Sequence, residues 1–134
     1  MTLNFDFIGI VTADLGASLA FYRSLGIDIP QGLDDEAHVE AVLPNGMKLA
    51  WDPVSTMAGF IPGYELPTGE NRIAFACSAA TPAEVDEAYA AITAEHPDSS
   101  GTAPWDTPWG QRYATVRDPD GNTVDLYAPL ATDD

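Results

Sequence analysis

The side chains that most often act as metal ligands, bases and nucleophiles are few in this sequence. It has two histidines, His38 and His96, and one cysteine, Cys77. His38 lies on a predicted strand with Glu40 on the same face, whereas His96 lies at a predicted helix C-terminus, where positive charge is favourable. Because the histidines fall in different elements and no nucleophile is spaced against a base, neither nucleophilic catalysis nor a metal site is favoured. Cys77 lies in an apolar stretch and is expected to be a buried, unpaired thiol.

Two tryptophans are the stronger signal for binding chemistry. Trp105 and Trp109 lie in the proline-containing segment Gly101–Gly110. Indole rings are costly to leave in water, so we expect both to stack on a ligand, on the body of the protein or on a second subunit. A planar aromatic or cationic guest would suit this pair, because aromatic faces attract both kinds of group.

Length and charge narrow the classes of partner. The chain has 134 residues, 46% of them hydrophobic, which is enough for one domain with a core. Five basic residues against 21 acidic ones give a net charge of −16. Such a surface repels phosphate backbones and anionic lipids, so neither nucleic acid nor a membrane is an expected partner. Since no apolar run could span a bilayer and the start does not resemble a signal peptide, we expect a cytoplasmic protein.

The first half of the sequence predicts a strand, a helix and a hairpin. Thr12 or Asp14 can cap the helix. The dipeptide Asn45-Gly46 suits a tight turn between two strands. The predicted elements are a strand at Asn4–Val11, a helix ending at about Leu25, and strands at Ala37–Leu43 and Met47–Trp51.

A connecting segment, Pro53–Glu70, follows the hairpin. Its prolines and glycines argue against regular structure. It also carries apolar side chains, among them Phe60 and Tyr64. Such a segment is either a linker packed on the body of the protein or a lid over a ligand.

The second half repeats the order of the first. Thr81 can cap a helix that has Pro82 in its first turn, and Glu84 can return a hydrogen bond to the cap. The predicted elements are a strand at Arg72–Cys77, a helix ending near His96, and strands at Gln111–Val116 and Thr123–Tyr127 around the turn Asp118-Pro119-Asp120-Gly121.

This repetition indicates two equivalent modules within one domain, residues 1–134. The modules span about 1–52 and 71–130, and the segment 53–70 joins them. Each module is too small to bury both faces of its sheet, so the halves should share one curved sheet.

Three runs of residues carry a resemblance to a known superfamily. They are Ile10–Leu15, Ser18–Tyr22, and the turn Asp118–Asn122 leading to Asp125-Leu126. With these motifs the chain resembles the vicinal oxygen chelate superfamily, which includes glyoxalase, extradiol dioxygenases, fosfomycin-resistance enzymes and bleomycin-resistance proteins. The resemblance implies an α+β fold in which paired βαβββ modules form a curved, cup-shaped mixed sheet, as in glyoxalase, bleomycin-resistance protein and dihydroxybiphenyl dioxygenase.

Metal-dependent members of that superfamily hold an ion with one residue from each of four strands. The resemblance places these positions at Phe7, near Ala50, at Arg72 and at Asp125. Phe7 and Ala50 have no donor atom and Arg72 is permanently positive, so only Asp125 could serve. Because a divalent ion needs several protein ligands of the N or O type, no metal, other cofactor or catalytic residue is expected.

Alternation of side chains along strands indicates which residues would line the cup. Small residues leave room, aromatic residues offer flat surfaces, and Arg72 and Asp125 can pair with each other or grip a polar group of a ligand. The opposite set, with Trp51, should pack under the helices. The predicted ligand-binding residues are Phe5, Phe7, His38, Ala50, Asp52, Phe60, Tyr64, Arg72, Trp105, Trp109, Tyr113, Asp125 and Tyr127.

The resemblance is closest to bleomycin-resistance proteins, which the chain matches in length, acidic charge and lack of metal ligands. It implies a homodimer that sequesters a small-molecule antibiotic or aromatic natural product without catalysis and so confers resistance. The alternatives are a metal-dependent glyoxalase-like lyase or dioxygenase, and a metal-free enzyme with His38, Glu40 or Asp125 as its base. A further alternative is an inert cup filled by side chains.

Overall fold

The computed structural model describes residues 2–68 and 73–130, and it divides the chain into two units, residues 1–68 and 69–134. The division falls at the end of the segment that the sequence predicts to join two modules. Each unit has a mixed sheet and its own crossover helix. None of the helices within these described ranges is long and apolar enough to cross a membrane.

The first unit has three strands and two helices. Its elements are β1 (Phe7–Thr12), α1 (Leu15–Ser24), β2 (Val39–Val42), β3 (Lys48–Pro53) and α2 (Val54–Ala58). The strand order is β1-β3-β2. Strands β1 and β3 run parallel, which requires a crossover, and α1 provides it. Strand β2 is antiparallel to β3 across a turn in which Gly46 adopts a φ of 87°, a conformation that favours glycine.

Helix α1 is fastened to this sheet by aromatic side chains. Asp14 begins the helix, since its side chain accepts a hydrogen bond of 3.0 Å from the backbone N–H of Ala17. Tyr22 is buried, and its ring centroid lies 5.5 Å from that of Trp51, which is fully buried. Burial of each such side chain stabilises the fold by about 1.5–3 kcal/mol. The prediction that Trp51 belongs to the core is confirmed.

The prediction that the segment after β3 lacks regular structure is wrong for its first residues. Val54–Ala58 forms α2, because these five residues include neither proline nor glycine; Pro53 precedes the helix and Gly59 follows it. The hydroxyl of Thr56 donates a hydrogen bond of 2.6 Å to the carbonyl oxygen of Ala37, which ties α2 to the residues before β2.

Strand β1 is shorter than predicted. It begins at Phe7 rather than at Asn4, so Phe5 lies outside the strand, and the Phe5 side chain is 79% exposed. The reason is the length of its partner: Phe7 pairs with Lys48, the first residue of β3.

The second unit has the same order of elements with one more strand. Its elements are β4 (Ala74–Ser78), α3 (Pro82–Glu95), a short 3-10 helix (Pro97–Ser99), β5 (Trp105–Asp106), β6 (Gln111–Arg117) and β7 (Thr123–Pro129). The strand order is β4-β7-β6-β5, with β4 parallel to β7 and the other pairs antiparallel. Cys77 on β4 is half-buried rather than buried, and this burial raises the pKa of its thiol.

Helix α3 covers one face of the second sheet. Thr81 begins it, because its hydroxyl accepts a hydrogen bond of 3.3 Å from the N–H of Glu84, as predicted. The Glu84 carboxylate accepts a bond from the N–H of Ala80 instead of from the cap residue. The side chains of Val85 and Ile92 on α3 are buried, and the helix packs against β6 and β7. The other face of the sheet is therefore not covered by α3.

Backbone pairing in residues 2–68 and 73–130 forms one sheet in each unit, whereas the sequence predicts a single shared sheet. In both units the first strand pairs in parallel with the last strand. Each sheet is thus completed by the crossover of its own unit, and its strand order does not depend on strands from the other half.

Candidate functional site

The face of the second sheet opposite α3 carries aromatic and hydroxyl side chains. Arg112 points toward α3, where its guanidinium pairs with Asp86, so the alternating residues of β6 face the other way. Paired residues on neighbouring strands share a face of the sheet. We call this surface the aromatic face, and it consists of Trp105, Tyr113, Thr115, Asp125 and Tyr127 with Trp109 from the turn before β6.

Three rings of the aromatic face form a contiguous cluster. The ring centroids of Trp105 and Trp109 lie 5.7 Å apart at an interplanar angle of 87°. Trp109 also lies 6.0 Å from Tyr113, at 76°. These edge-to-face contacts are favourable because the positive edge of one ring meets the negative face of the next. Trp109 is nevertheless 61% exposed and Trp105 40% exposed, so both indoles keep surface for a further partner.

The turn that carries Trp109 is closed by several hydrogen bonds. The N–H of Thr107 donates to the carbonyl of Gln111 at 2.8 Å, and the N–H of Gln111 donates to the Thr107 hydroxyl at 3.0 Å. Gly110 has a φ of 91°, which strongly favours glycine. Its carbonyl accepts a bond of 3.0 Å from the N–H of Leu130, which ties the turn to the end of β7.

Asp125 lies on the central strand of the aromatic face and is held by two hydroxyl groups. Tyr113 donates to one carboxylate oxygen at 2.5 Å, and Thr115 donates to the other at 3.2 Å. Burial first, and then the hydrogen bond to Asp125, raise the pKa of Tyr113 to about 12. The phenol therefore keeps its proton at neutral pH and remains a donor. Among the residues that the structure describes, Asp125 makes no ion pair.

The first unit has a different polar cluster, centred on His38. Its Nδ1 lies 2.5 Å from Asp52 Oδ1, its Nε2 lies 3.0 Å from Glu40 Oε1, and Lys48 Nζ lies 3.8 Å from Glu40 Oε2. The hydrogen bond between His38 and Glu40, and then that between His38 and Asp52, raise the pKa of His38. The hydrogen bond between His38 and Glu40 also lowers the pKa of Glu40. We call these four residues the histidine cluster.

The contacts of the histidine cluster favour a protonated imidazole, and none of the described residues forms a group of three or more His, Cys, Asp or Glu side chains placed to hold a metal ion. An imidazole bonded to a carboxylate through each nitrogen must carry a proton on both, so neither nitrogen has a lone pair to offer. His38 also lies one residue before β2 rather than on the strand, because Val39 is the first residue paired with β3. Glu40 is on the same side as His38, as predicted.

The predicted ligand-binding residues fall into separate groups. Trp105, Trp109, Tyr113, Asp125 and Tyr127 share the aromatic face. The remaining residues lie in the first unit or outside the described ranges: Phe7, His38, Ala50 and Asp52 on or beside one face of the first sheet, Phe5 before β1, Phe60 and Tyr64 after α2, and Arg72 outside the described residues.

Those in the first unit differ in accessibility. Phe7 is 41% exposed and Phe60 66% exposed, whereas Ala50 is fully buried and has no surface for a ligand in this structure. Ala50 is enclosed because it lies on the central strand, paired with Gly9 on one side and with Glu40 on the other. The Asp52 carboxylate is engaged by His38.

The residues at the metal-ligand positions do not form a metal site. Phe7 offers a ring, Ala50 a buried methyl group, and Arg72 lies outside the described residues. Asp125 is therefore the one side chain with a donor atom at the described positions. Within residues 2–68 and 73–130, no group of three or more His, Cys, Asp or Glu side chains is placed to hold a metal ion.

Two polar residues that hold side chains of the aromatic face were not predicted from the sequence. Thr115 holds Asp125, and Gln111 accepts a hydrogen bond of 2.9 Å from the indole N–H of Trp109 through its side-chain oxygen. Both alternate with Tyr113 along β6, so the same period of two that selects Tyr113 also selects them. Because both side chains are polar but uncharged, neither was conspicuous in the sequence as a candidate binding residue.

A comparison with family models identifies one match that covers most of the chain. The model described as "Glyoxalase/Bleomycin resistance protein/Dioxygenase superfamily" matches residues 4–126. No curated protein is significantly similar to the chain in sequence.

Solved structures share the fold across nearly the whole chain. A glyoxalase/bleomycin resistance protein/dioxygenase from Nocardioides is 25% identical with a TM-score of 0.74, covering 99% of this chain and 87% of that one. A glyoxalase-related enzyme from Fulvimarina pelagi is 20% identical with a TM-score of 0.76, covering 95% and 88%. A lactoylglutathione lyase from Agrobacterium tumefaciens is 22% identical with a TM-score of 0.65, covering 93% and 92%. Together with the family match, these likenesses confirm the predicted fold class.

Proposed function

Because the chain belongs to the glyoxalase/bleomycin resistance protein/dioxygenase superfamily, we propose that it binds a small-molecule antibiotic or aromatic natural product and sequesters it without turnover, thereby conferring resistance. The observation that best supports this proposal is the aromatic face, where three rings cluster beside Asp125. Exposed rings hold a guest by stacking. The carboxylate among them accepts hydrogen bonds from two hydroxyls and can serve as a polar anchor for the guest.

The chemistry of the aromatic face favours a planar guest. It also favours a positively charged guest over a negatively charged one. Indole and phenol rings attract planar rings by stacking and cations through their negative faces. The described partners of Asp125 are neutral donors, and none of the described residues pairs its charge with a cation. The net charge of −16 adds a long-range attraction for cations.

The proposal includes the assembly and the location that the family resemblance implies. The protein acts as a homodimer with two ligand sites. It works in the cytoplasm, where a drug is captured before it reaches its target. This part of the proposal follows the metal-free members of the superfamily, which the chain resembles in its acidic charge and in the absence of a metal-binding group among its described residues.

A titration with unmodified drugs tests the proposal directly. Bleomycin, an anthracycline and a neutral flavone are added to the protein while tryptophan fluorescence and heat of binding are followed. We expect saturable quenching by at least one planar compound, with one guest bound per chain. Mass spectrometry after prolonged incubation should recover the guest unchanged.

A matched pair of variants separates specific binding from adhesion to exposed apolar surface. Trp109→Ala removes an exposed ring from the aromatic face, and Val42→Ser removes a similarly exposed apolar side chain from the first unit, where Val42 is 67% exposed. Only Trp109→Ala should weaken binding. Conversion of the guest into a product, or a tightly held stoichiometric metal in the purified protein, would contradict sequestration.

A further inference from the structure

We infer that Gln111 is the positioning residue that fixes the ring plane of Trp109, and that Trp109 is thereby a preformed stacking platform for a single planar aromatic group. The inference rests on the proposed function and adds to it the residue that sets ring orientation and the shape of guest that the site selects. It concerns the turn Thr107–Gly110 and the first residues of β6.

The orientation of Trp109 is set by contacts on three sides. Its edge-to-face contacts with Trp105 and Tyr113 limit the tilt of the ring. Its indole N–H donates to Gln111 Oε1 at 2.9 Å, which selects one of the ring's two flips, because only one edge of an indole carries a donor. A hydrogen bond is more directional than an apolar ring contact, so the bond to Gln111 is the contact that distinguishes the two flips most strictly.

The backbone beneath the ring is held as well. Thr107 is buried, and its backbone and hydroxyl bond to the backbone of Gln111. On the opposite side of β6, Arg112 joins Asp106 of β5 at 3.1 Å to Asp86 of α3 at 3.0 Å, which fixes the strand that carries Trp105. Both indoles are therefore mounted on anchored backbone. Binding then needs little ordering of the site, which favours affinity.

The angle between the indoles indicates the shape of the guest. Two rings at 87° form a corner, whereas two parallel rings would form a slot. One flat group can stack on only one wall of a corner and meets the other with its edge. Trp109, the more exposed wall at 61% against 40% for Trp105, is the stacking surface. The site thus selects one planar ring system lying against a single indole.

The test compares two replacements of Gln111 that differ in one property. Gln111→Glu keeps an acceptor for the indole N–H, whereas Gln111→Met keeps the length of the side chain and loses the strong acceptor. The first measurement needs no ligand: the circular dichroism couplet that two coupled indoles produce. The second is the affinity for proflavine, a planar aromatic cation, measured by fluorescence and calorimetry.

We expect Gln111→Met to weaken the couplet and to lower the affinity for proflavine by about 2- to 10-fold, the range expected for loss of one hydrogen bond. Gln111→Glu should retain both. An unchanged couplet in Gln111→Met would overturn the role of Gln111, whatever the ligand results. A weakened couplet with unchanged affinity, or a wild type that does not bind proflavine, would overturn the stacking platform and count against the proposed function as well.

Discussion

The last strand of each unit carries a carboxylate, Asp52 on β3 and Asp125 on β7, and the two have opposite electrostatic surroundings. In the histidine cluster, Asp52 and Glu40 face the cation His38, and Glu40 also faces Lys48. On the aromatic face, Asp125 is held by neutral hydroxyls and lies among rings. A carboxylate already paired with a cation has little attraction left for a charged guest, whereas one solvated by neutral donors keeps its charge.

The backbones do not explain this difference. In both units the first strand pairs in parallel with the last strand. In both, the last strand also pairs antiparallel with the strand that precedes it. The contrast arises from the side chains that alternate onto one face of each sheet. Under the proposed function, binding thus depends on the side chains of one face and not on the order of elements in the module.

Removal of Trp109 should produce the largest difference between the two units. Trp109→Ala takes away the stacking surface, and loss of one aromatic partner for a stacked ring costs about 1–3 kcal/mol, which is about 5- to 150-fold in affinity. His38→Ala, which dismantles the histidine cluster, should change the affinity for the same planar drug by less than about 2-fold. Calorimetric titration of both variants measures this contrast, and equal losses in the two would refute the assignment of binding to the aromatic face.

Replacement of Asp125 should have a smaller effect that depends on the guest. Asp125→Asn removes the charge while keeping a similar shape, so we expect affinity for a cationic planar drug to fall about 10-fold, as for loss of a charge-assisted contact. A neutral planar compound of the same size should lose less than about 3-fold.

The control for Asp125 comes from the histidine cluster. Asp52→Asn removes the same charge from the chain and therefore reports the part of any loss that is due to net charge alone. A similar loss in both variants at moderate salt would show that long-range attraction, and not the carboxylate on the aromatic face, selects cations.

The period of strands allowed part of the aromatic face to be predicted from the sequence. Tyr113, Asp125 and Tyr127 follow from alternation along β6 and β7, which needs no knowledge of which strands pair. The bond between Thr115 and Asp125 depends on the register of β6 against β7, and that register is fixed by the turn between them. The bond from Trp109 to Gln111 depends on the closed form of the preceding turn, which composition does not encode.

The first unit was harder to predict for a related reason. The pairing of His38 with Asp52 joins residues far apart in sequence, and it exists because β2 and β3 meet with Val39 opposite Trp51. Helix α2 is too short to show a helical period. The prolines and glycines on either side of it therefore led to the prediction of irregular structure. Local composition indicates where strands end, but it does not indicate which polar side chains will meet.

The smallest expected effect is the pH dependence of the histidine cluster, which the aromatic face should not share. The pKa of His38 is raised in the folded protein, so its contribution to stability is fully present below the ordinary histidine pKa and is lost as pH rises through the raised value. With the His38 side chain 43% exposed, that contribution should stay below about 1 kcal/mol.

Urea unfolding at acid and alkaline pH measures this effect in the wild type, in His38→Gln and in the control His96→Gln. The stability lost in His38→Gln should be greatest at acid pH and should shrink as pH rises, while NMR titration of the imidazole gives the pKa itself. Affinity for a permanently charged planar drug should stay constant while His38 titrates, because Tyr113, with its pKa at about 12, keeps its proton there. An affinity that falls as His38 loses its proton would show that the two units act together on the guest, and the separation of a charge-paired face from a binding face would then fail.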